Sequence, residues 1–467
     1  MLACQKSSPS PSPSPSATTA PTHSMTAPDA GADGDRLPAV YKRLVEIRTD
    51  AAHGTTVAAT AMAAYLRAAG IDDVQLSGPT PERQNLVARL HGNGAKKPML
   101  LLAHLDVVDA DEAGWSTDPW KLVEKDGYFY GRGTIDDKAM AAIFVSLLIE
   151  LKREGFQPDR DVIVALTADE EDGEHDGVAW LLAHQRERID AAFAINEGGG
   201  GDIRKGKYIA NLVQTSEKLE QSFVLETRDV GGDSGQPGAE NAIVRLARAI
   251  DRVSHLAFTL RPNELTRTYF KNIAAREEAS LARDMRTLGP SEAARVAAAS
   301  TWYGAMLRTT CETTLVEGGH GEGAMPQSAR ATLNCRILSD GSSNGGVDEV
   351  ERAILDAVKD PKVQVTRKWK ATLAPPSPRL PELFQAVERI SNEMWPGVVV
   401  TESMLPSATD GKYLRAAGIP TYGVSGLFED VDDVREHGVD ERIGVRQLAE
   451  AATFLGRLVR ALAAPAH

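Results

Sequence analysis

Continuous apolar runs that end in histidine or acidic residues most constrain how this chain folds. Met99 to Ala103 is such a run, and His104 and Asp106 follow it. A strand without a polar face is typical of a parallel sheet covered on both sides. Because side chains alternate along a strand, we expect His104 and Asp106 on one face at its carboxyl end, where open α/β sheets bind ligands. Alone, this pair fits a hydrogen-bonded core histidine equally well.

Two further predicted strands deliver acids to the same edge of the sheet. The first, Asp161 to Thr167, precedes Asp169, Glu170, Glu171 and Asp172, and the second, Ala191 to Ile195, precedes Glu197. Four acids that leave one strand repel each other, and cations or solvent must relieve that cost. A solvated acidic loop is the alternative, but it does not explain why the acids follow a buried strand.

A glycine-rich turn, Tyr130 to Thr134, carries Asp136 and Asp137 into a helix predicted from Ala139 to Leu151. Two adjacent aspartates at a helix start also fit a simple N-cap. The segment Arg-Glu-His437-Gly adds a second histidine. Zinc takes imidazole and carboxylate ligands, and paired metal ions a few ångströms apart serve hydrolases. Together these segments predict a two-metal hydrolase.

The segments AHLDVV, YGRGTIDDK, TADEEDG, INEGG and EHGVDERI resemble, in order and spacing, the motifs of one zinc-dependent metallopeptidase family. That family includes carboxypeptidase S, aminoacylase, carnosinase and succinyl-diaminopimelate desuccinylase. The resemblance covers roughly residues 38 to 462. It implies an α/β, di-zinc exopeptidase-like catalytic domain with an inserted α+β lid, through which many relatives form homodimers. It also implies cleavage of the amide bond of small peptides or N-acyl amino acids.

The resemblance assigns ligands for two zinc ions, for which Co²⁺ or Mn²⁺ could substitute. They are His104, Asp136 and Glu197 for one ion, and Asp136, Glu171 and His437 for the other. Asp136 would bridge the two ions, and the peptide bond after it would be cis. Glu170 is implied as the general base that activates a water, and Asp106 as the residue that orients His104.

Two positions of the implied lid depart from the family pattern. Asp233 stands where relatives usually carry a histidine that steadies the developing oxyanion, and Gly323 stands where they often carry an asparagine. A carboxylate accepts hydrogen bonds and would repel an oxyanion. Three explanations stay open: His320 supplies the donor, Asp233 binds a cationic group of the substrate, or the protein is a weak enzyme that mainly binds peptides. Glu170 favours catalysis, because metal binding alone does not need it.

Three residues are candidates for binding the substrate. Arg336, at the end of a predicted lid strand, could hold a carboxylate through a bidentate contact. Thr409 and Asp410 precede a helix predicted from Lys412 to Ala417, and a helix N-terminus attracts anions. Each residue fits a structural cap or a surface pair as well.

The implied ligands lie on both sides of a long segment, which is therefore predicted to be the inserted lid. The predicted domains are residues 1–37, a disordered Ser/Pro-rich tether; 38–217, the first part of the catalytic domain; 218–372, the lid; and 373–467, the second part of the catalytic domain. Leu265 to Leu307 is expected to be a helical elaboration within the lid. Cys311 and Cys335 flank a predicted hairpin and fit either a disulfide in an exported protein or two buried thiols.

Charge and the amino terminus bear on partners and location. The formal net charge of -13 argues against nucleic acid, since phosphate binding needs clustered Lys and Arg. The apolar helix from Ala139 is too short to span a membrane.

Leu-Ala-Cys4 before Ser-Pro repeats resembles the end of a bacterial lipoprotein signal. We therefore expect an envelope or periplasmic protein with a lipid anchor at Cys4, with a cytoplasmic protein as the alternative.

Overall fold

The computed structural model describes residues 36–171, 175–236, 238, 240–339 and 344–465. The predicted tether, with Cys4, lies outside the described residues except for its last two positions, and so does Asp172. The first helix begins at Leu37, the final residue of that predicted tether. From residue 35 onward the chain forms one compact unit, and the division into catalytic and lid domains stays a prediction.

The strands, in chain order, are β1 Val74–Ser77, β2 Asn85–Leu90, β3 Met99–His104, β4 Val123–Lys125, β5 Tyr128–Tyr130, β6 Val162–Thr167, β7 Phe193–Asn196, β8 Gly201–Arg204, β9 Lys207–Glu217, β10 Leu219–Arg228, β11 Gly232–Asp233, β12 Thr310–Gly318, β13 Ala324–Met325, β14 Ser328–Ile337, β15 Val363–Arg367, β16 Val399–Leu405, β17 Thr421–Gly423, β18 Phe428–Asp430 and β19 Arg442–Gly444.

The α-helices are α1 Leu37–Val45, α2 Thr56–Ala68, α3 Lys138–Arg153, α4 Gly177–His184, α5 Arg186–Ile189, α6 Ala242–Ser254, α7 Glu264–Ile273, α8 Ala279–Thr287, α9 Pro290–Ala299, α10 Thr301–Leu307, α11 Val347–Val358, α12 Pro381–Met394, α13 Gly411–Ala416 and α14 Val445–Ala463. Two short 3₁₀ turns span Glu112–Gly114 and Ala274–Arg276. Within the described residues, no helix combines the length and the apolar character that a membrane span requires.

The predicted α/β sheet is confirmed as a ten-stranded mixed sheet. Its strand order is β1-β2-β6-β3-β7-β17-β9-β8-β18, and β16 pairs with β9. The strands β6, β3 and β7 run parallel as neighbours, so their carboxyl ends meet at one edge. All six residues of β3 and of β6 are buried, as their apolar sequences predict.

Helices cover both faces of this first sheet, which is why its central strands have no polar face. Leu101 and Ala103 of β3 pack in one core with α1, α3, α12 and α14. Leu100 and Leu102, which alternate with them, pack in a second core with α4 and α13. The two-sided burial fixes the register of β3 and therefore the position of His104 at its end.

A second sheet of four strands has the order β12-β14-β10-β15. One face packs against α6 and α11 in a core of its own. The chain passes from the first sheet to the second between Glu217 and Leu219. It returns alongside the same crossing, where the Ser377 N–H donates to the Thr215 carbonyl at 2.8 Å. Cys311 and Cys335 face each other on β12 and β14 and are joined by a disulfide.

The segment expected to be a helical elaboration within the lid forms α7 to α10. These helices share a core with Ala210 and Leu212 of β9, in the first sheet. Asn272 of α7 donates to Thr401 Oγ1 of β16 at 2.9 Å, and Arg204 of β8 pairs with Glu277 at 2.5 Å. Their assignment to the lid stays a prediction. An amphipathic helix pattern says that one face is buried, but it does not say against which sheet.

Candidate metal centre

Neighbouring parallel strands bring three predicted segments to one edge of the first sheet. His104 ends β3, Glu170 and Glu171 follow β6, and Glu197 follows β7. The ligand atoms of His104, Glu170 and Glu197 all lie within 4.8 Å of one another, and so do those of His104, Asp136 and Glu171. Acids and imidazole that are far apart in the sequence thus surround a common space.

Asp136 lies between the two histidines. Its Oδ1 is 2.9 Å from His104 Nε2, and its Oδ2 is 2.9 Å from His437 Nε2. His437 Nε2 is also 3.1 Å from Glu171 Oε1. The peptide bond between Asp136 and Asp137 is cis, as the family resemblance implies. One carboxylate therefore presents a separate oxygen to each half of the site.

Asp106 acts on two neighbours through different atoms. Its main-chain carbonyl lies 3.0 Å from His104 Nδ1, whereas its carboxylate is 3.7 Å from that nitrogen. The carboxylate accepts hydrogen bonds from the main-chain N–H groups of Glu170 at 3.2 Å and Glu171 at 2.9 Å. The atom of Asp106 nearest to the His104 ring nitrogen is thus its main-chain carbonyl oxygen, and the implied role of orienting His104 stays a prediction. Its side chain holds the loop that carries Glu170 and Glu171.

A buried ion pair joins the loop of Asp136 to the loop of His437. Arg132 donates to Glu441 at 2.7 Å, and both side chains are almost fully buried. Glu441 also accepts from the main-chain N–H groups of Gly133 and Ile135, each at 2.9 Å. A carboxylate with three such donors fixes the turn in which Asp136 sits.

Charge crowding marks the site. Burial raises the pKa of Glu170 well above its ordinary value, although the positive charge of Lys412 lowers it. Burial and the charge of Asp136 raise the pKa of Glu197 in the same way. Hydrogen bonds to Asp136 and Glu171 raise the pKa of His437 to about 11. Raised pKa values in neighbouring acids and imidazoles are typical of a site whose negative charge is balanced by cations.

The chemistry of these donors fits two divalent cations. Zinc and similar ions take imidazole nitrogen and carboxylate oxygen, and a ligand must lose its proton before it binds. His104 and His437 each present Nε2 to Asp136, whose two oxygens suit a bridging position. All these ligand atoms surround one shared space. The close group of His104, Asp136 and Glu171 therefore contains residues that the resemblance assigns to different ions.

Asp233, His320 and Gly323 are all exposed. Asp233 lies in β11, which pairs with β13, and its carboxylate accepts from the N–H of Gly235 at 2.7 Å. A Cβ atom built at Gly323 would meet nothing within 4 Å among the described residues.

Thr409 and Asp410 have buried side chains, each about 2% exposed or less. The Thr409 hydroxyl donates to Glu217 at 3.0 Å and accepts from Asn196 at 3.2 Å. The carboxylate of Asp410 accepts from Thr167 at 2.8 Å. Both side chains fasten the loop to the first sheet, and their contact with substrate stays a prediction.

Arg336 lies on β14, half-buried, with its guanidinium 3.4 Å from Glu220 Oε1. The other oxygen of Glu220 lies 3.8 Å from the ammonium of Lys412. Lys412 belongs to α13, which packs against the first sheet, whereas Glu220 belongs to the second sheet. Arg336 is thus one of two cations on either side of a single carboxylate.

A family model described as peptidase family M20/M25/M40 matches residues 100–461, which is most of the chain. The chain belongs to this family. Its members are metal-dependent peptidases and amidohydrolases, so the protein is a hydrolase of that class. The resemblance inferred from five short motifs is confirmed.

Curated relatives of the family match over most of their length. An N-fatty-acyl-amino acid synthase/hydrolase of Xenopus tropicalis is 29% identical over 375 residues, covering 78% of this chain and 72% of that protein. A probable carboxypeptidase S-like protein of Dictyostelium discoideum is 27% identical over 386 residues, covering 78% and 71%. Human aminoacylase-1 is 23% identical over 373 residues, covering 79% and 81%.

Solved structures of the family share the fold. An M20 family metallo-carboxypeptidase from Sulfolobus solfataricus superposes with a TM-score of 0.70 at 16% identity, covering 91% of this chain and 99% of that one. Human carnosine dipeptidase 1 gives a TM-score of 0.68 at 16% identity, covering 91% and 96%. The predicted α/β fold is confirmed by both structures.

The motif analysis missed four charged residues in or near the candidate site: Arg132, Glu217, Glu441 and Lys412. Two of them lie inside the motifs YGRGTIDDK and EHGVDERI, so their proximity to the implied ligands was a usable signal. Glu217 and Lys412 had no such signal, because each is one charged residue among many between recognisable segments. Only the fold shows what they contact.

Proposed function

We propose that this protein is a di-zinc hydrolase that cleaves the amide bond of small peptides or N-acyl amino acids, with Glu170 as general base. One observation carries the proposal. Asp136 presents its two oxygens to different imidazoles, each at 2.9 Å, and the half-buried carboxylate of Glu170 lies within 4.8 Å of the ligand atoms of His104 and Glu197. A structural metal site needs no further acid next to its ligands, whereas hydrolysis needs one to move protons.

Each zinc ion would have three protein ligands. His104, Asp136 and Glu197 would hold one ion, and Asp136, Glu171 and His437 the other. Two such ions, when bound, polarise a carbonyl and lower the pKa of a water toward neutrality. Cobalt or manganese could replace zinc, because ligand type narrows the choice of metal without fixing it.

Glu170 would move the proton. A general base works best when its pKa lies near the working pH, and burial moves the pKa of Glu170 in that direction. Its carboxylate would take a proton from the attacking water and return it to the leaving amine. Asp106 would keep Glu170 in place, since its side chain accepts from the main-chain N–H of that residue at 3.2 Å.

The substrate class is supported by the names of the relatives. They are an N-fatty-acyl-amino acid synthase/hydrolase, a carboxypeptidase S-like protein and an aminoacylase. Each name points to an amide bond next to an amino acid. Arg336 would hold the free carboxylate of that amino acid, because a guanidinium matches a carboxylate with two parallel hydrogen bonds.

A second candidate is a weakly active or non-catalytic, metal-dependent peptide-binding protein of the envelope. Asp233 favours it, because a carboxylate stands where family members usually carry the histidine that steadies the oxyanion. Glu170 argues for catalysis, so we rank hydrolysis first.

Zinc-loaded protein should cleave members of a panel of dipeptides and N-acyl amino acids. Glu170→Gln keeps the size of the side chain but removes the base, and we expect turnover to fall by about a hundred- to ten thousandfold. Zinc content, measured by mass spectrometry, must be equal in both proteins. If neither protein shows turnover while each binds two zinc ions, the result would favour the peptide-binding protein instead.

A further inference from the structure

The stretch from Lys359 to Lys370 is strongly basic within an acidic chain. Its twelve residues contain five cations and one acid, a net charge of +4, whereas the whole chain has a formal net charge of -13. The stretch comprises β15 and the residues on either side of it. A local excess of positive charge on an otherwise acidic protein attracts anionic partners to that part of the surface.

Neighbouring acids neutralise little of this charge. Arg367 pairs with Asp348 and Glu351 of α11. Asp360, the single acid of the stretch, lies 3.5 Å from the guanidinium of Arg245, outside the stretch. The other four cations are exposed lysines that form no ion pair with any residue the structure describes: Lys359, Lys362, Lys368 and Lys370. Four ammonium groups are therefore available to an external anion.

Two large apolar side chains lie exposed at the carboxyl end of the stretch. Trp369 is 41% exposed and Leu373 is 42% exposed, and the ammonium of Lys368 lies 5.1 Å from the centroid of the Trp369 ring. The backbone here is bonded to β10. Gln221 donates to the main-chain carbonyl of Trp369 at 2.8 Å, and the N–H of Lys368 donates to the carbonyl of Ser222 at 2.9 Å. The fold thus holds an exposed indole in place between two lysines.

The strand β15 forms one edge of the second sheet. It pairs with β10, and no described strand lies on its other side. Lysines at a free edge discourage pairing with a strand of another chain, which argues against an acidic peptide bound by strand addition. That protective role does not explain an exposed tryptophan among the lysines. Indole rings and snorkelling lysines together are typical of segments at a membrane–water interface.

We propose that the stretch from Lys359 to Leu373, the basic edge, docks the protein on anionic phospholipid surfaces. The four lysines would lie against lipid phosphates, and Trp369 and Leu373 would enter the boundary between headgroups and acyl chains. The basic edge leads into the crossing back to the first sheet, where Ser377 donates to Thr215. Docking would therefore place lipid beside the connection between the two sheets. This role goes beyond hydrolysis and needs neither zinc nor turnover.

Sedimentation of the full chain with lipid vesicles tests the proposal. Phosphatidylcholine vesicles with about 30% phosphatidylglycerol should bind the protein in about 0.05 M salt, and pure phosphatidylcholine vesicles should bind it much more weakly. Lys368→Gln, Lys370→Gln should weaken partition into the anionic vesicles by about thirtyfold. Lys205→Gln, Lys207→Gln is the matched control, because both lysines are exposed near the turn between β8 and β9 and the net charge changes equally. It should bind as the unaltered chain does.

Trp369→Ala should act differently from the lysine change. Salt at about 0.5 M screens the lysines but not apolar contacts, so Trp369→Ala should weaken the binding that remains there, whereas the lysine variant should match the unaltered chain. Trp302→Ala is the control, because Trp302 of α10 is 40% exposed. Brominated phosphatidylcholine in the anionic vesicles should quench the tryptophan fluorescence of the unaltered chain and not that of Trp369→Phe, a conservative variant for use should Trp369→Ala fail to fold.

No binding to the anionic vesicles would overturn the proposal, and so would equal binding by the unaltered chain and by Lys368→Gln, Lys370→Gln. Binding to a polyglutamate peptide that is as tight as binding to vesicles, and unchanged in Trp369→Ala, would also overturn it, since an acidic peptide would then be the partner. Absence of hydrolysis leaves these results unaffected, because vesicle binding is measured without zinc or substrate.

Discussion

Glu441 shows how much of the site depends on a residue that binds neither metal nor substrate in our proposal. Its carboxylate accepts from Arg132 and from two main-chain N–H groups of the turn before Asp136. The same arginine donates to the main-chain carbonyl of Gly438 at 3.2 Å, next to His437. One buried pair therefore sets the spacing between the bridging aspartate and the second histidine.

Glu441→Ala should lower the free energy of unfolding by about 3–5 kcal/mol, because it leaves Arg132 buried without a partner. It should also weaken zinc binding by about ten- to a hundredfold, as loss of residues that support ligands does. Urea denaturation and competition with a chelator measure the two effects.

The double variant Arg132→Met, Glu441→Ala is the control for the unpaired charge. It should recover part of the lost stability but not the zinc affinity, since the turn before Asp136 still lacks its acceptor. Zinc affinity that is unchanged in Glu441→Ala would show that the turn holds Asp136 without Glu441.

Strands and helices could be predicted where the local sequence pattern determines which faces are buried. The apolar run of β3 predicts burial on both faces, and His104 is then expected at the strand end. The position of α7 to α10 could not be predicted, because their apolar faces would suit either sheet. Glu217 illustrates the same limit at the site: its bonds to Thr409 and its 2.5 Å pair with Arg415 join segments almost 200 residues apart.

The disulfide between β12 and β14 gives a prediction at the scale of elements. Cys311 and Cys335 are 24 positions apart and lie opposite each other in an edge pair of the second sheet. Closing a loop of that length is expected to stabilise the protein by roughly 3 kcal/mol. Urea denaturation of the oxidised protein should therefore show a higher midpoint than that of the reduced protein.

A thiol count checks whether the pair forms. The chain has three cysteines, so denatured, unreduced protein that carries no lipid should react with one equivalent of a thiol reagent, at Cys4. The variant Cys311→Ser, Cys335→Ala should denature identically with and without reductant. Three reactive thiols in the unreduced protein would contradict the pairing.

At the scale of the whole molecule, the first and second sheets carry different parts of the proposed chemistry. The chain connects them by two adjacent crossings. His104, Glu171 and Glu197 end or follow strands of the first sheet, whereas Asp136 lies between β5 and α3 and His437 between β18 and β19. The second sheet holds Arg336, and β11 and β13 hold or flank Asp233 and Gly323. The first three of these implied ligands were predictable because they lie at strand ends. Asp233 and Gly323 were not, since these residues depart from the family pattern and lie in exposed segments.

Asp233→His should raise kcat on simple N-acyl amino acids, by roughly tenfold, because a donor would replace a carboxylate that, in our proposal, would repel the developing oxyanion. Asp233→Asn is the control: it removes the charge without an imidazole and should give a smaller gain. Steady-state kinetics at saturating zinc measure both. A loss of activity in Asp233→His would favour the alternative, in which Asp233 binds a cationic group of the substrate.

The separation of Asp136 and His437 along the chain has a consequence for how the protein is made. These two residues are 301 positions apart, and Arg132 and Glu441 are 309 apart. At about 5–20 residues per second, a ribosome needs on the order of 15 to 60 s to pass from the first member of each pair to the second. Throughout that interval the nascent chain lacks His437, one of the five ligands that we propose. If that ligand set is correct, hydrolytic activity is withheld until synthesis has passed Glu441, and an unfinished chain does not act on the peptides around it.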